Sequence, residues 1–215
     1  MCCSVFDTGG AHDRAVEIER EVLRLAETLD NCFLRALNSS SRMSGIHLTE
    51  PDGGAEYLRR AHAIYDELGM HANNGTVAMF LALYELRAGD RPAAARWATV
   101  SVQRTVDYTS TYLGLVTNAV IAVVSRPAPV QAAELLGALR AYRVRSHQHG
   151  TKPETDAETH YETVLRRRLG DEFDAHYARG LTLDDAAMVD LALTQLAVIA
   201  DSTSDADNDV APDRS

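Results

Sequence analysis

The stretch TVAMFLALYELRAGDRPAAARWATVSVQR, Thr76 to Arg104, decides the fold. Its first half is apolar nearly all round, through Val77, Met79, Phe80, Leu81, Leu83, Tyr84 and Leu86. A helix of that kind, predicted over Thr76–Ala88, must be covered on several sides. Gly89 and Asp90 end it, and Pro92 falls near the start of the next helix, where a missing N–H costs little. That second helix has an Ala-rich start and runs to about Tyr108. The unit is a buried helix, a short Gly/Pro/Asp turn and an amphipathic helix.

The same unit extends in both directions. Upstream, helices are predicted over Asp13–Asp30, on a stripe of Ala15, Ile18, Val22, Leu25, Ala26 and Leu29, and over Cys32–Met43, weakened by a serine run. Pro51 to Gly54 mark a turn, a helix follows over Ala55–Leu68 with Gly69 closing it, and Asn73, Asn74 and Gly75 read as a break. Downstream, an almost wholly apolar helix covers Thr111–Val124, Pro127 and Pro129 interrupt, and another helix covers Val130–Ser146. Leu58, Trp97 and Leu135 hold similar places in alternate helices, as do Ala61, Val100 and Ala138, at spacings of 39 and then 38 residues. That period predicts an α-solenoid of helix pairs over residues 13–146, with an irregular bundle as the alternative.

Beyond it the pattern changes. His147–Asp156 reads as a polar linker. Residues 157–200 read as C-terminal capping helices: Ala157–Leu169, Asp171–Ala178, a turn at Gly180, and a last helix with Thr182 as N-cap and Asp185 three residues on. Residues 1–12 read as a disordered or truncated N-terminus, and 201–215 as an acidic disordered tail.

Composition agrees. The 215 residues are 46% apolar and 24% charged, with 6 prolines, and Ala, Leu, Arg and Glu favour helix. A net charge of −10 argues against a phosphate-tracking surface, so nucleic acid is not the expected partner. Only Lys152 is a lysine. Cys2, Cys3 and Cys32 are too few and too clustered for a disulfide framework and read as reduced thiols. Phe6 to Gly10 give no apolar signal core, and Tyr112–Val124 falls short of the roughly 20 residues that span a bilayer. A cytoplasmic protein without membrane contact is expected.

No catalytic constellation stands out, and no cofactor or metal is expected. His147 and His149, with His160 or His176, could ligate a metal, but H-x-H without further convergent ligands is a weak pattern. Asp184, Asp185 and Asp190 suggest a metal–diphosphate site, but no second acidic cluster answers them, and acids suit a helix N-terminus. Ser39 to Ser44 and Ser101 lack a nucleophile context. Two arginine runs remain: Arg140, Arg143 and Arg145, and Arg166 to Arg168. Arg140 and Arg143 share a helix face, so Arg140, Arg143 and Arg145 with Tyr142 form the expected contact for a partner or anion, against the alternative of a salt-bridged helix surface. Trp97, Tyr84, Phe80, Tyr112 and Tyr142 read mostly as inter-helix packing.

Three C-terminal segments carry a family likeness: AAELLGALRAYR (Ala132–Arg143), HYETVLRRRLGDEFDAHYARG (His160–Gly180) and LTLDDAAMVDLAL (Leu181–Leu193). Their order resembles the C-terminal tetratricopeptide-like region of bacterial LuxR-type and AfsR-type STAND ATPase transcriptional regulators. The resemblance implies tetratricopeptide-like repeats with a helical cap that couple sensing to a partner module. The chain departs from those regulators in lacking a G-x-x-x-x-G-K-[ST] phosphate loop and a basic helix-turn-helix, so ATPase and DNA-binding activities do not carry over. The expected function is a non-catalytic protein–protein interaction or sensory module of a bacterial regulatory system, binding a protein or peptide. The alternative is a helical-bundle enzyme or ligand-binding protein with a metal or anionic-ligand site.

Overall fold

Turn chemistry cuts the chain where the backbone needs a glycine, a proline or a capping acid. The computed structural model describes Glu21, Arg24, Leu25, Thr28, residues 54–106 and residues 110–202. Helix α1 (Gly54–Glu67) is followed by Gly69 at φ +64°, and α2 (His71–Arg87) by Gly89 at φ +87°, a left-handed conformation that glycine adopts without strain. Helix α3 (Arg91–Val106) starts behind Asp90, whose carboxylate accepts the Ala93 N–H at 2.8 Å. After α4 (Ser110–Val124), Pro129 opens α5 (Pro129–Arg145). At the start of α6 (Lys152–Leu169), Glu154 accepts the Thr151 N–H and Oγ–H at 2.7 and 2.8 Å. A 3-10 turn, Gly170–Glu172, leads into α7 (Phe173–Leu181). Asp184 then caps α8 (Asp185–Ala200) by accepting the Ala187 N–H at 2.8 Å.

The fold is all-α, and no strand occurs among the described residues. Glu21, Arg24, Leu25 and Thr28 are helical, as the first predicted helix requires; the rest of that helix, the one over Cys32–Met43 and the tail from 203 onward lie outside the described residues.

Each helix from α1 to α6 packs on the next, α2 and α4 also meet α4 and α6 respectively, and α7 lies along α5. The last helix then returns across α3, α4 and α5. Its stripe of Met188, Ala192, Leu196 and Ile199 is buried in the main core. Helices α1 and α5 share a pattern at their buried positions: Ala55, Leu58, Ala61 and Tyr65 against Ala132, Leu135, Ala138 and Tyr142. In α3 the same register holds Trp97 and Val100, both partly buried, and Arg104, while the buried face is Ala94, Ala95, Ala98, Ser101, Val102 and Thr105. Helix α3 approaches α2 closely enough at Gly75 for Ser101 and Thr105 to meet its backbone, so its seam takes small side chains and departs from the pattern.

Three local expectations are corrected by packing. Asn73, Asn74 and Gly75 are not a break but lie inside α2. Asn74 and Gly75 are buried there; a Cβ at Gly75 would stand 2.6 Å from Thr105 Oγ1, and Ser101 Oγ–H donates to Gly75 O at 2.7 Å. Gly180 is not a turn but a buried residue of α7, facing Gly137 of α5; added Cβ atoms would lie 2.0 Å from Glu134 O and 2.2 Å from Tyr177 O. Thr182 is not the cap of α8: its Oγ–H donates to Arg179 O at 2.7 Å, at the end of α7, and Asp184 takes the cap. The stretch read as linker becomes helical at Lys152.

Because α5 and α7 touch backbone to backbone, Gly137→Ala and Gly180→Ala should each destabilise the chain by about 1–3 kcal/mol despite alanine's better helix propensity. The melting temperature, followed by circular dichroism, should fall by roughly 2–4 °C for each kcal/mol. Ala178→Ser, on the exposed side of α7, should stay within about 0.5 kcal/mol of the parent. A Gly180→Ala protein as stable as the parent would contradict the close crossing.

Candidate functional site

The C-terminal half of α5 carries the expected contact residues, and the structure divides them between two faces. On one face, Arg143 Nε donates to Glu158 Oε1 at 3.0 Å, and its Nη2 reaches Glu154 Oε1 at 3.2 Å and Glu158 Oε1 at 2.8 Å. Arg140 Nη2 donates to Glu162 Oε2 at 3.0 Å, and its Nε lies 3.7 Å from Glu158 Oε2. Glu158 thus sits between two guanidiniums, and Asn118 Nδ2 adds a bond from α4 at 3.3 Å. The Arg143 and Glu158 side chains are only 12% and 5% exposed. Gly150 presses on the guanidinium, where a Cβ would be 2.9 Å from Cζ. Burial pushes the Glu154 carboxyl up, but the Thr151 N–H and O–H and then Arg143 outweigh it and hold the group below its usual value. Most of this arginine face is therefore spent on fastening α5 to α6.

The other face bears Tyr142 and Arg145. Tyr142 is 1% exposed, so its ring is core rather than a free docking surface. It also forms part of the wall of a cleft of about 430 Å³, with Thr105 and Val106 of α3, Leu113 of α4, and Asp185, Ala186, Val189 and Asp190 of α8. Arg145 Nη2 donates to the cleft-lining Asp185 at 2.7 Å. The Thr105 hydroxyl is spent on Ser101 O at 2.7 Å. The Asp190 carboxylate has no hydrogen bond or ion pair among the described residues. The cleft therefore offers apolar walls, one compensated carboxylate and one uncompensated carboxylate. That arrangement can hold a ligand with an apolar body and a positive end. Val106, Leu113, Val189 and Asp190 were not singled out as a group in the sequence, because nothing local says that α8 returns to α3.

The remaining sequence candidates are placed apart from this cleft. Arg168 Nη1 donates to Ser125 O and Arg126 O at 3.0 and 2.8 Å, satisfying carbonyls at the end of α4. Arg166 binds Glu162 and Asp174 and lies 4.2 Å above the Phe173 ring centroid. His147 and His149 are exposed between α5 and α6, and the His160 ring meets Tyr161 edge-on. Among the described residues no group of three or more His, Cys, Asp or Glu is placed to hold a metal ion.

A second polar cluster joins α1, α2 and α3. Arg104 binds Asp66 at 2.7 Å and meets His71 Nδ1 at 2.6 Å, and Asn74 Nδ2 donates to Asp66 at 3.2 Å. The His62 ring stands edge-on to Trp97; burial pulls its pKa below the ordinary histidine value, against the attraction of Asp66 and Asn74.

Removing Arg143 should leave the buried Glu158 with only the longer Arg140 contact and the Asn118 bond, at a cost of about 3 kcal/mol for Arg143→Ala, the low end for breaking a buried pair. Arg145→Ala, whose partner Asp185 is also exposed, should cost under about 1 kcal/mol. Urea unfolding of both, with the Arg143→Met/Glu158→Met double variant costing less than the sum of its singles, checks this. Equal losses for Arg143→Ala and Arg145→Ala would refute it. No protein family, no curated protein and no solved structure matches the chain.

Proposed function

We propose that the chain is a non-catalytic interaction and sensory module of a bacterial regulatory system, built as a tetratricopeptide-like array with a C-terminal helical cap. The observation that carries this reading is the order of packing: successive helices stack on their neighbours, and α8 closes over α3, α4 and α5. The matching buried residues of α1 and α5 support a repeated unit. Stacked helix pairs suit a protein that acts by holding a surface rigid. No helix among the described residues is long and apolar enough to cross a membrane, and a cytoplasmic setting is part of the proposal.

The partner in this reading is a regulatory protein or a peptide segment of one. Its contact is the outer edge of α5, where Val144 is 76% exposed beside Arg140 and Arg145. Arg143 and Tyr142 hold that edge in place from within. The alternative within the same class, a small-ligand sensor, is favoured by the cleft beside Tyr142.

The test is affinity capture from source-cell lysate with the intact chain and a Val144→Asp/Arg145→Glu variant. The parent should recover one dominant regulatory protein, and the purified pair should lose at least about tenfold in affinity with the variant, the effect of removing one hot spot. Failure of the parent to retain any protein above a charge-matched control would overturn the interaction reading.

A further inference from the structure

We infer that the cleft between α3, α4, α5 and α8 is a binding site for a small organic cation with an apolar body, of the arylalkylamine class. The inference rests on the sensory half of the proposed function and names its ligand. Three observations carry it. The volume, about 430 Å³, lies in the range of small-molecule pockets, and the site is formed by four helices rather than by one loop. Val106, Ala186 and Val189 supply an apolar wall, floored by the nearly buried Leu113 and Tyr142. The polar groups are then few, and their charges differ in availability. Asp185 already holds Arg145 at 2.7 Å, whereas the carboxylate of Asp190, further along α8, has no partner among the described residues.

An ammonium seated in this cleft would pair with Asp190 while its aryl or alkyl body displaces water from Val106, Leu113 and Val189. A charge-assisted bond of that kind adds both affinity and orientation. An anion meets the opposite field. Among the described residues Arg145 is the cation paired with a cleft-lining carboxylate, and it is committed to Asp185, while the whole chain carries −10. A neutral apolar ligand would make the apolar contacts but gain no ion pair with the exposed Asp190 carboxylate. The site therefore selects by charge first and by apolar shape second.

The experiment is an NMR titration of the intact chain with 4-phenylbutylamine and, separately, with 4-phenylbutyrate, which has a similar body and the opposite charge. The amine should saturate, with shifts concentrated at Leu113, Tyr142 and Val189, and the carboxylate should not bind there. Asp190→Asn, an exposed change, should weaken the amine by about three- to fivefold, the upper range for a solvent-screened ion pair. Val189→Trp should fill the cleft and abolish the shifts while the amide spectrum of α5 and α6 is kept. Equal binding of amine and carboxylate, an Asp190→Asn affinity equal to the parent's, or no binding of the amine would overturn the inference. No amine binding by a chain that still captures its regulatory partner removes the ligand alone and leaves the interaction reading standing.

Discussion

The seat of α8 on α3, α4 and α5 is the constraint on which the rest of the described structure depends. Met188, Ala192, Leu196 and Ile199 recur at helical spacing and are all buried. The three large ones are each worth about 1.5–3 kcal/mol when fully buried, an upper estimate because unfolded chains already shield part of their surface. The Arg145–Asp185 ion pair at the helix start is solvent-exposed and worth under about 1 kcal/mol. Packing, not the ion pair, holds α8. The ion pair instead fixes where the first turn of α8 lies against α5, and so where the mouth of the cleft falls.

This seating also explains the composition of α3. Helix α1, which among the described residues packs mainly on α2, carries large side chains on its seam, Leu58 and Tyr65. Helix α3 packs against α2, α4 and α8 and crosses α2 so closely that Gly75 meets Thr105. Its buried positions are accordingly Ala94, Ala95, Ala98, Ser101, Val102 and Thr105. The departure of α3 from the residues shared by α1 and α5 follows from that close crossing. On the far side of α5, the Arg143–Glu158 pair locks α6, so α5 connects the cleft face to the fastened face through a single helix.

Much of the helical layout was legible because it is local. The Thr76–Arg104 unit, with Gly89, Asp90 and Pro92 as punctuation, reads from the sequence as the structure has it. The failures share one cause. Gly75 and Gly180 look like breakers to any local rule, yet each is small because another backbone or side chain lies where its Cβ would be. Thr182 and Asp185 fit a capping pattern, but Asp184 fits the observed backbone better and Asp185 turns to Arg145. The shared face of Arg140 and Arg143 was readable from their spacing, whereas the carboxylates that occupy it come from α6, and no spacing rule identifies them. The cleft was illegible for the same reason: its walls come from four helices separated along the chain.

Native-state hydrogen exchange along α8 tests the central claim most directly. If this helix is an integral part of the core, the amides from Met188 to Leu196 should exchange only through the same global opening that exposes α3 and α5, with equal protection and equal response to denaturant. Exchange of α8 through a separate, lower-energy opening, with α3 and α5 still protected, would contradict the claim and make α8 a removable lid on a helical body that stands without it.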